Sequence, residues 1–370
     1  MASEILKEIK KSLIENGIGK TLANRVKFPD AIEIDEIIDK GKIVIKLSDK
    51  AIGMCEDGRS YSNMQNDDAS FEGWALLIYS HYAKEKNYKI ELDLKQTAYD
   101  NIEKIYKIKS ADNYTNNRRH YNRFLYRALR FSQQYRNWFI LSNELKPHVE
   151  AFNNYLSNSK IGFTNNIPNN IPNENKTSNQ YFGTNKIHEN DVEDIFANLN
   201  WQSNQGAAFC KKYGGVLYRQ LPVGLFEGSE AIKAKAVFTG NKSAIDLWSC
   251  NNNELNVFEL KFNNKMIGIL TEIFFYANFM RDMFCKGKII SFKCQPSKEY
   301  RGYEHLAGAS FTKVNGYMLI DEGKLHQAIT KKVIGLMNKA DFSDAPAFTI
   351  SYDKIEYRVL SGCSGRTIEA

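Results

Sequence analysis

Apolar residues recur every three or four positions between residues 3 and 16, with Ile5, Ile9 and Leu13 on one face and lysines and glutamates between them, which predicts an amphipathic helix. The period then changes to two. In KIVIKL (42–47), Ile43, Ile45 and Leu47 share a face, as in a strand, and AIGMC reads as a continuation of that hairpin. FEGWALLIYSHYA (71–83) has the unbroken apolar character of a buried helix, and YKIELDL (88–94) alternates as a strand. Residues 1–95 therefore read as a mixed α/β unit to which no chemistry attaches. Gly17-Ile18-Gly19-Lys20-Thr21 has the look of a phosphate-binding loop, but position 14 is Ile and the lead-in is a charged helix, so a glycine stop and a turn account for it.

From residue 96 to 156 the pattern is helical and the charge is basic. Arg119, Arg123, Arg127 and Arg130 recur at helical spacing, and Phe124, Ala128, Phe131, Tyr135 and Trp138 form a matching apolar face. A guanidinium stripe of this kind suits the phosphates of a nucleic acid, contacted without reading bases. Asparagine, serine and proline then crowd residues 157–180, as in a linker too polar to pack. Residues 181–370 read as a second region of alternating helices and strands. The fold class expected is α/β (α+β), with a mixed central sheet flanked by helices in the C-terminal unit and an α+β and helical N-terminal region.

Composition narrows the picture only a little. The chain has 370 residues and a net charge of +7, enough for two or three domains and compatible with a polyanionic partner. No stretch reads as a membrane span, since the most apolar one, 266–284, is interrupted by Glu272, Arg281 and Asp282. The six cysteines never form a CxxC pair, so they read as reduced thiols in a cytoplasmic protein. His120, His188 and His326 have no ligand spacing.

The chemistry sits in the C-terminal unit. HENDVEDIFANLNW predicts a helix capped by Asn190, with Asp191, Glu193 and Asp194 near its start. Two strands follow, AIDLW and VFELKF, each with a polar intrusion. Glu259 and Lys261 lie two apart, on the face opposite Phe258, Leu260 and Phe262. If the strands are antiparallel neighbours, Asp246 and Glu259 converge. Two carboxylates so placed suit Mg²⁺ or Mn²⁺, and a lysine beside them suits the orientation of a water attacking a phosphodiester. NNKMIGILTEIFFYANFMRDMF (263–284) predicts a long helix with Glu272 and Tyr276 one turn apart, 313–323 and 347–360 predict strands, and 326–338 predicts a helix between them.

This order of parts resembles the PD-(D/E)xK phosphodiesterase superfamily of restriction and repair nucleases, with Ile245-Asp246 followed by Glu259-Leu260-Lys261 over roughly residues 181–288. The resemblance implies a metal-dependent nuclease, most naturally a DNA endonuclease of restriction or phage defence, acting on double-stranded DNA and working as a homodimer. It assigns Asp246, Glu259 and Lys261 as catalytic, Asp246, Glu259 and Glu193 (or Asp191) as metal ligands, and Glu272 and Tyr276 as the counterpart of a Q-x-x-x-Y pair, with glutamate in place of glutamine. Arg219 and Gln220, on the preceding strand, suit either contact with the scissile phosphate or strand-end hydrogen bonding. The rival expectation is a catalytically silent nuclease fold that binds nucleic acid or a partner.

Overall fold

A computed structural model describes residues 2–56, 61–107, 112–158, 160–166, 187–198, 204–238, 243–251, 253–284, 289–293, 302–345, 347–362 and 365–370. The chain is mixed α/β, with open sheets flanked by helices, as its sequence predicts. It forms two units. The first comprises Met1–Lys160, Met266–Glu272 and His326–Asp341; the second comprises Ile161–Lys265, Ile273–Leu325 and Phe342–Ala370.

The first unit starts with helices α1 (Ala2–Glu15) and α2 (Lys20–Ala23). Its sheet follows the order β1 (Ile32–Ile37), β2 (Lys42–Leu47), β3 (Lys89–Leu94), β4 (Phe139–Leu141). Strands β1 and β2 pair antiparallel, whereas β2 with β3 and β3 with β4 are parallel. AIGMC is not a strand. Ser48 caps a short helix, α3 (Asp49–Ile52), by accepting the Ala51 N–H at 3.4 Å, and Gly53 ends it at a φ of 76°. Helix α4 (Phe71–Ile78) runs on through one wide turn to Ala83.

Helices α5 (Gln96–Lys107), α6 (Asp112–Gln134) and α7 (Lys146–Leu156) belong to this same unit, not to a separate basic domain. The reason is a shared aromatic core: Phe71 of α4 meets Phe124 and Phe131 of α6 edge-on, each at 5.8 Å. The segment 326–338 is helical only over Lys331–Met337, where Thr330 accepts the Val333 N–H at 3.3 Å, and it too belongs to the first unit.

The second unit holds two sheets. The larger follows the order β14 (Gly365–Glu369), β13 (Thr349–Gly362), β12 (Lys313–Asp321), β10 (Glu254–Lys261), β9 (Ala244–Cys250), β6 (Tyr218–Pro222). Strands β10, β12 and β13 are mutually parallel, and β9 pairs antiparallel with both β10 and β6. The smaller sheet follows the order β11 (Ile290–Lys293), β5 (Phe163–Asn166), β7 (Leu225–Glu227), β8 (Ala236–Phe238). Strand β5 falls inside the stretch expected to be a linker; residues 167–180 of that stretch lie outside the described residues.

Helix α8 (Glu189–Ala197) covers one face of the larger sheet, packing Val192, Ile195 and Phe196 with Leu247, Phe258 and Leu260. The residues from Ile273 to Phe284 of the helix Gly268–Phe284 cover the other face. Gly316 on β12 makes the approach possible, since a Cβ there would stand 2.9 Å from Ile273 Cγ1 and 3.0 Å from a ring carbon of Tyr352. Helices on both faces explain why β10 is buried along its whole length after Glu254.

A row of amides and hydroxyls crosses the sheet at one level. Asn256 donates to Ser249 Oγ at 3.1 Å, Asn315 donates to Asn256 Oδ1 at 2.9 Å, and Ser351 donates to Asn315 Oδ1 at 2.6 Å. Each of these is a directly opposed pair in the strand register.

Candidate active site

Strands β9 and β10 are antiparallel neighbours, paired from Leu255 with Cys250 to Phe258 with Leu247. One step further along each strand sets Asp246 opposite Glu259. The regular pairing stops there. On the other side of β9, Arg219 pairs with Leu247 and Leu221 with Ile245, so Gln220 stands across from Asp246 but does not pair with it. Gln220 has a φ of 56°, a left-handed conformation uncommon for a residue with a Cβ. Asp246 thus sits where both flanking ladders open. Its Oδ2 accepts the Leu260 N–H at 2.8 Å, taking the place of a backbone acceptor.

Glu259 and Lys261 are both buried, at 2% and 5% exposure, and their side chains pair at 2.5 Å. Asp246 is half-buried. Burial raises its pKa well above the usual 3.8; the ammonium of Lys261 and the Leu260 N–H work against that rise, and the carboxylates of Glu193 and Glu189 add to it. Asp246 is therefore held at a cost that a nearby cation relieves.

Glu193 comes from the second turn of α8 and is 2% exposed. Arg219 donates to its Oε2 from Nη2 at 2.7 Å and from Nε at 3.2 Å, and Gln220 Nε2 donates to the same oxygen at 2.7 Å. Arg219 also pairs with Asp194. Of the two roles open to Arg219 and Gln220, phosphate contact or hydrogen bonding within the protein, the structure shows them bonded to the acids of α8. The cap of α8 also differs from expectation. The helix begins at Glu189, and His188, not Asn190, is its cap residue, with Asp191 Oδ2 accepting the His188 N–H at 2.9 Å. That contact engages Asp191 in closing the helix end, so that of the two acids weighed as a ligand, Glu193 is the one bonded to a strand.

The structure adds two residues the sequence did not single out. Glu189 Oε2 accepts the Phe262 N–H at 3.2 Å, and its Oε1 lies 3.9 Å from Lys261 Nζ. The signal was available, because Glu189 precedes Glu193 by one helical turn and shares its face. Tyr357, on β13, donates to the Lys261 carbonyl at 3.1 Å. Nothing in its local sequence marks it, since parallel pairing of β13 across β12 brings it there.

Tyr276 is buried, with its hydroxyl 3.3 Å from Ser243 Oγ, and Glu272 is counted with the first unit. The guanidinium stripe is not an exposed face. Arg119, Arg127 and Arg130 are 9%, 2% and 5% exposed, and Arg127 is locked onto Glu72 and the Ala69 carbonyl. Arg123 is half-buried against His120, at 3.1 Å. The physical reason is that α6 lies within its unit, so its polar stripe meets protein where the sequence alone implied solvent. Phe124, Ala128, Phe131, Tyr135 and Trp138 are buried, as their spacing predicts.

Among the described residues, no three Asp, Glu, His or Cys side chains gather closely enough to hold a metal ion by themselves, and no helix is long and apolar enough to cross a membrane. Two carboxylates remain a reasonable set for Mg²⁺, which commonly takes one or two protein carboxylates and completes its shell with water and substrate phosphate. No family model, curated protein or solved structure matches the chain.

Proposed function

We propose that the second unit is a metal-dependent phosphodiesterase of the PD-(D/E)xK type, cutting double-stranded DNA as a cytoplasmic homodimer in restriction or phage defence. The observation that carries this reading is the opening of both ladders at Asp246, across from Glu259 and within electrostatic reach of Lys261 and Glu193. Asp246 and Glu259 are the residues that would hold Mg²⁺ or Mn²⁺, and Glu193 would support them. When bound, the ion supplies neutralising charge at the scissile phosphate and lowers the pKa of the attacking water. Lys261 offers N–H donors to that water and to the charge that develops on the phosphoryl oxygens. Gln220 and Arg219 fix Glu193, and Tyr357 fixes the backbone of Lys261. Water attacks phosphorus, the new P–O bond forms as the bond to the leaving sugar oxygen breaks, and that oxygen leaves with a proton.

Glu259→Gln and Lys261→Ala test the reading. Each lowers Mg²⁺-dependent plasmid cleavage by about 10²-fold or more, on the scale of losing one preorganised group, with the folded circular dichroism spectrum kept. Full cleavage by both variants rejects the assignment.

A second reading, a silent nuclease fold that binds nucleic acid or a partner, draws on the engagement of Glu193 by Arg219 and Gln220 and on the absence, among the described residues, of a three-acid cluster. It predicts no cleavage by the unaltered protein and no heat of Mn²⁺ binding.

A further inference from the structure

The first unit contains a cavity of about 720 Å³ between α5, α6 and α7. Each helix contributes one stripe at three- and four-residue spacing, as His148, Ala151, Phe152 and Tyr155 do from α7. The volume is that of a small-molecule site. Five of the walls are rings. Tyr99, His148 and Tyr155 are half-buried. Tyr121 and Phe152 are buried behind them. The Tyr121 hydroxyl and His148 Nδ1 lie 3.0 Å apart, which fixes one wall. Arg118 and Glu103 are exposed, which puts a cation and an anion at the rim.

We propose that this cavity binds a nucleobase bearing a phosphate, the base lying against the rings of Tyr99, His148 and Tyr155 and the phosphate held by Arg118. Aromatic faces bind any base without regard to sequence, and a guanidinium adds both charge and planar stacking. A lipid chain suits the site less well, since only Ile102, Leu125 and Ala151 are aliphatic. The phosphate-contacting role expected of the α6 arginine stripe thus passes to one arginine outside it, at the mouth of a ring-lined pocket. The ligand is either a free nucleotide, which would make the first unit a sensor, or an unstacked base of a strand, which would make it a recognition unit. The inference stands independently of the reading of the Asp246 site.

The test is titration calorimetry of the full chain, in EDTA, against the common nucleoside monophosphates and their nucleosides, with fluorescence anisotropy of a short mixed-sequence single-stranded DNA in parallel. Binding of a monophosphate identifies a free-nucleotide site; binding of the oligonucleotide alone identifies a strand base; either supports the proposal. Tyr155→Ala weakens binding about tenfold, the scale of one lost stacking partner. Arg118→Ala removes the preference for nucleotide over nucleoside, or flattens the salt dependence of strand binding. Ala151→Trp, at an exposed position, fills the cavity and abolishes binding while leaving the core residues in place. Absence of binding by every probe, or binding unchanged in Arg118→Ala and Ala151→Trp, overturns the proposal. Asp246→Asn serves as the separating control: it leaves base binding intact while ending cleavage, so that either reading can fail without the other.

Discussion

Each unit buries a cluster of opposite charges, and the two clusters are built to different ends. In the first unit, Arg127 and Glu72 are 2% and 0% exposed. Their side chains form a two-pronged pair, Nε to Oε1 at 2.7 Å and Nη2 to Oε2 at 2.5 Å. The Ala69 carbonyl takes a further Arg127 N–H at 2.6 Å, and Thr271 donates to Glu72 at 2.9 Å. The Nε and Nη2 groups of Arg127 and both carboxylate oxygens of Glu72 thus have protein partners, which is the condition for a buried ion pair to hold its place. In the second unit, Asp246, Glu259, Glu189 and Glu193 bring four acids to Lys261 and Arg219. Burial raises the Asp246 pKa, and the carboxylates of Glu193 and Glu189 add to that rise. A satisfied cluster is structural; a cluster left with surplus charge is ready for a cation or a substrate.

That contrast can be broken by mutation. Arg127→Ala, or Glu72→Ala, leaves one buried charge without its partner and should cost about 3–5 kcal/mol of stability. Urea unfolding followed by circular dichroism measures it. Combining Arg127→Met with Glu72→Leu should recover most of the loss, because both charges are then gone; a double variant as unstable as the singles would show that packing, not charge, holds the site.

Acid should separate the units next. Burial lowers the pKa of both His81 and His326, in the first unit, to about 4. Their folded pKa values lie below the ordinary 6.5, so the folded state binds fewer protons than the unfolded one between those limits. The stability they contribute is complete above about pH 6.5 and is lost as the pH falls through 4, at up to about 1.4 kcal/mol per pH unit for each. Asp246 has the opposite sign. Its raised pKa makes the folded state the better proton binder, so its cost grows as the pH rises from 3.8 through the folded value. Amide hydrogen exchange at pH 6.5 and 4.5 should therefore show faster opening at the lower pH in β2 and α4 than in β9 and β10. Uniform acceleration across both units would contradict it.

The smallest effect concerns Asp246 alone. Asp246→Asn keeps an acceptor for the Leu260 N–H and removes the charge, so at pH 7 it should stabilise the protein by about 1 kcal/mol, a gain of the size usual when a strained functional group is relieved. Mn²⁺ should raise the melting temperature of the unaltered protein and leave the variant unchanged. Equal Mn²⁺ shifts in both would place the ion elsewhere.

Much of this was legible in the amino-acid order. The two-residue alternation of KIVIKL, YKIELDL and VFELKF marks β2, β3 and β10 because local period and strand geometry coincide. Asp246, Glu259 and Lys261 were legible for the same reason, as polar residues interrupting otherwise apolar strands. The arginine stripe misled because periodicity defines a face and says nothing of what covers it; only the tertiary fold puts Glu72, 55 positions away, against Arg127. Asp191 and Glu193 looked interchangeable until the helix start was fixed at Glu189, two residues' difference in register deciding which acid caps and which is bonded to a strand. Tyr357 and the left-handed Gln220 left no local trace, since both follow from how distant strands are arranged.

The polar row from Ser249 to Ser351 has a consequence for the acids three positions away. Sliding β9 or β10 by a single residue would strand the Asn256 and Asn315 amides in an apolar interior, at the cost of several unmade hydrogen bonds. Those amides therefore act as a dowel through the sheet, and the distance from Ser249 to Asp246 equals that from Asn256 to Glu259. Alignment secured at the dowel is delivered to the carboxylates, so an inserted residue between Asn256 and Glu259 would disarm the site while leaving every one of its side chains in the protein.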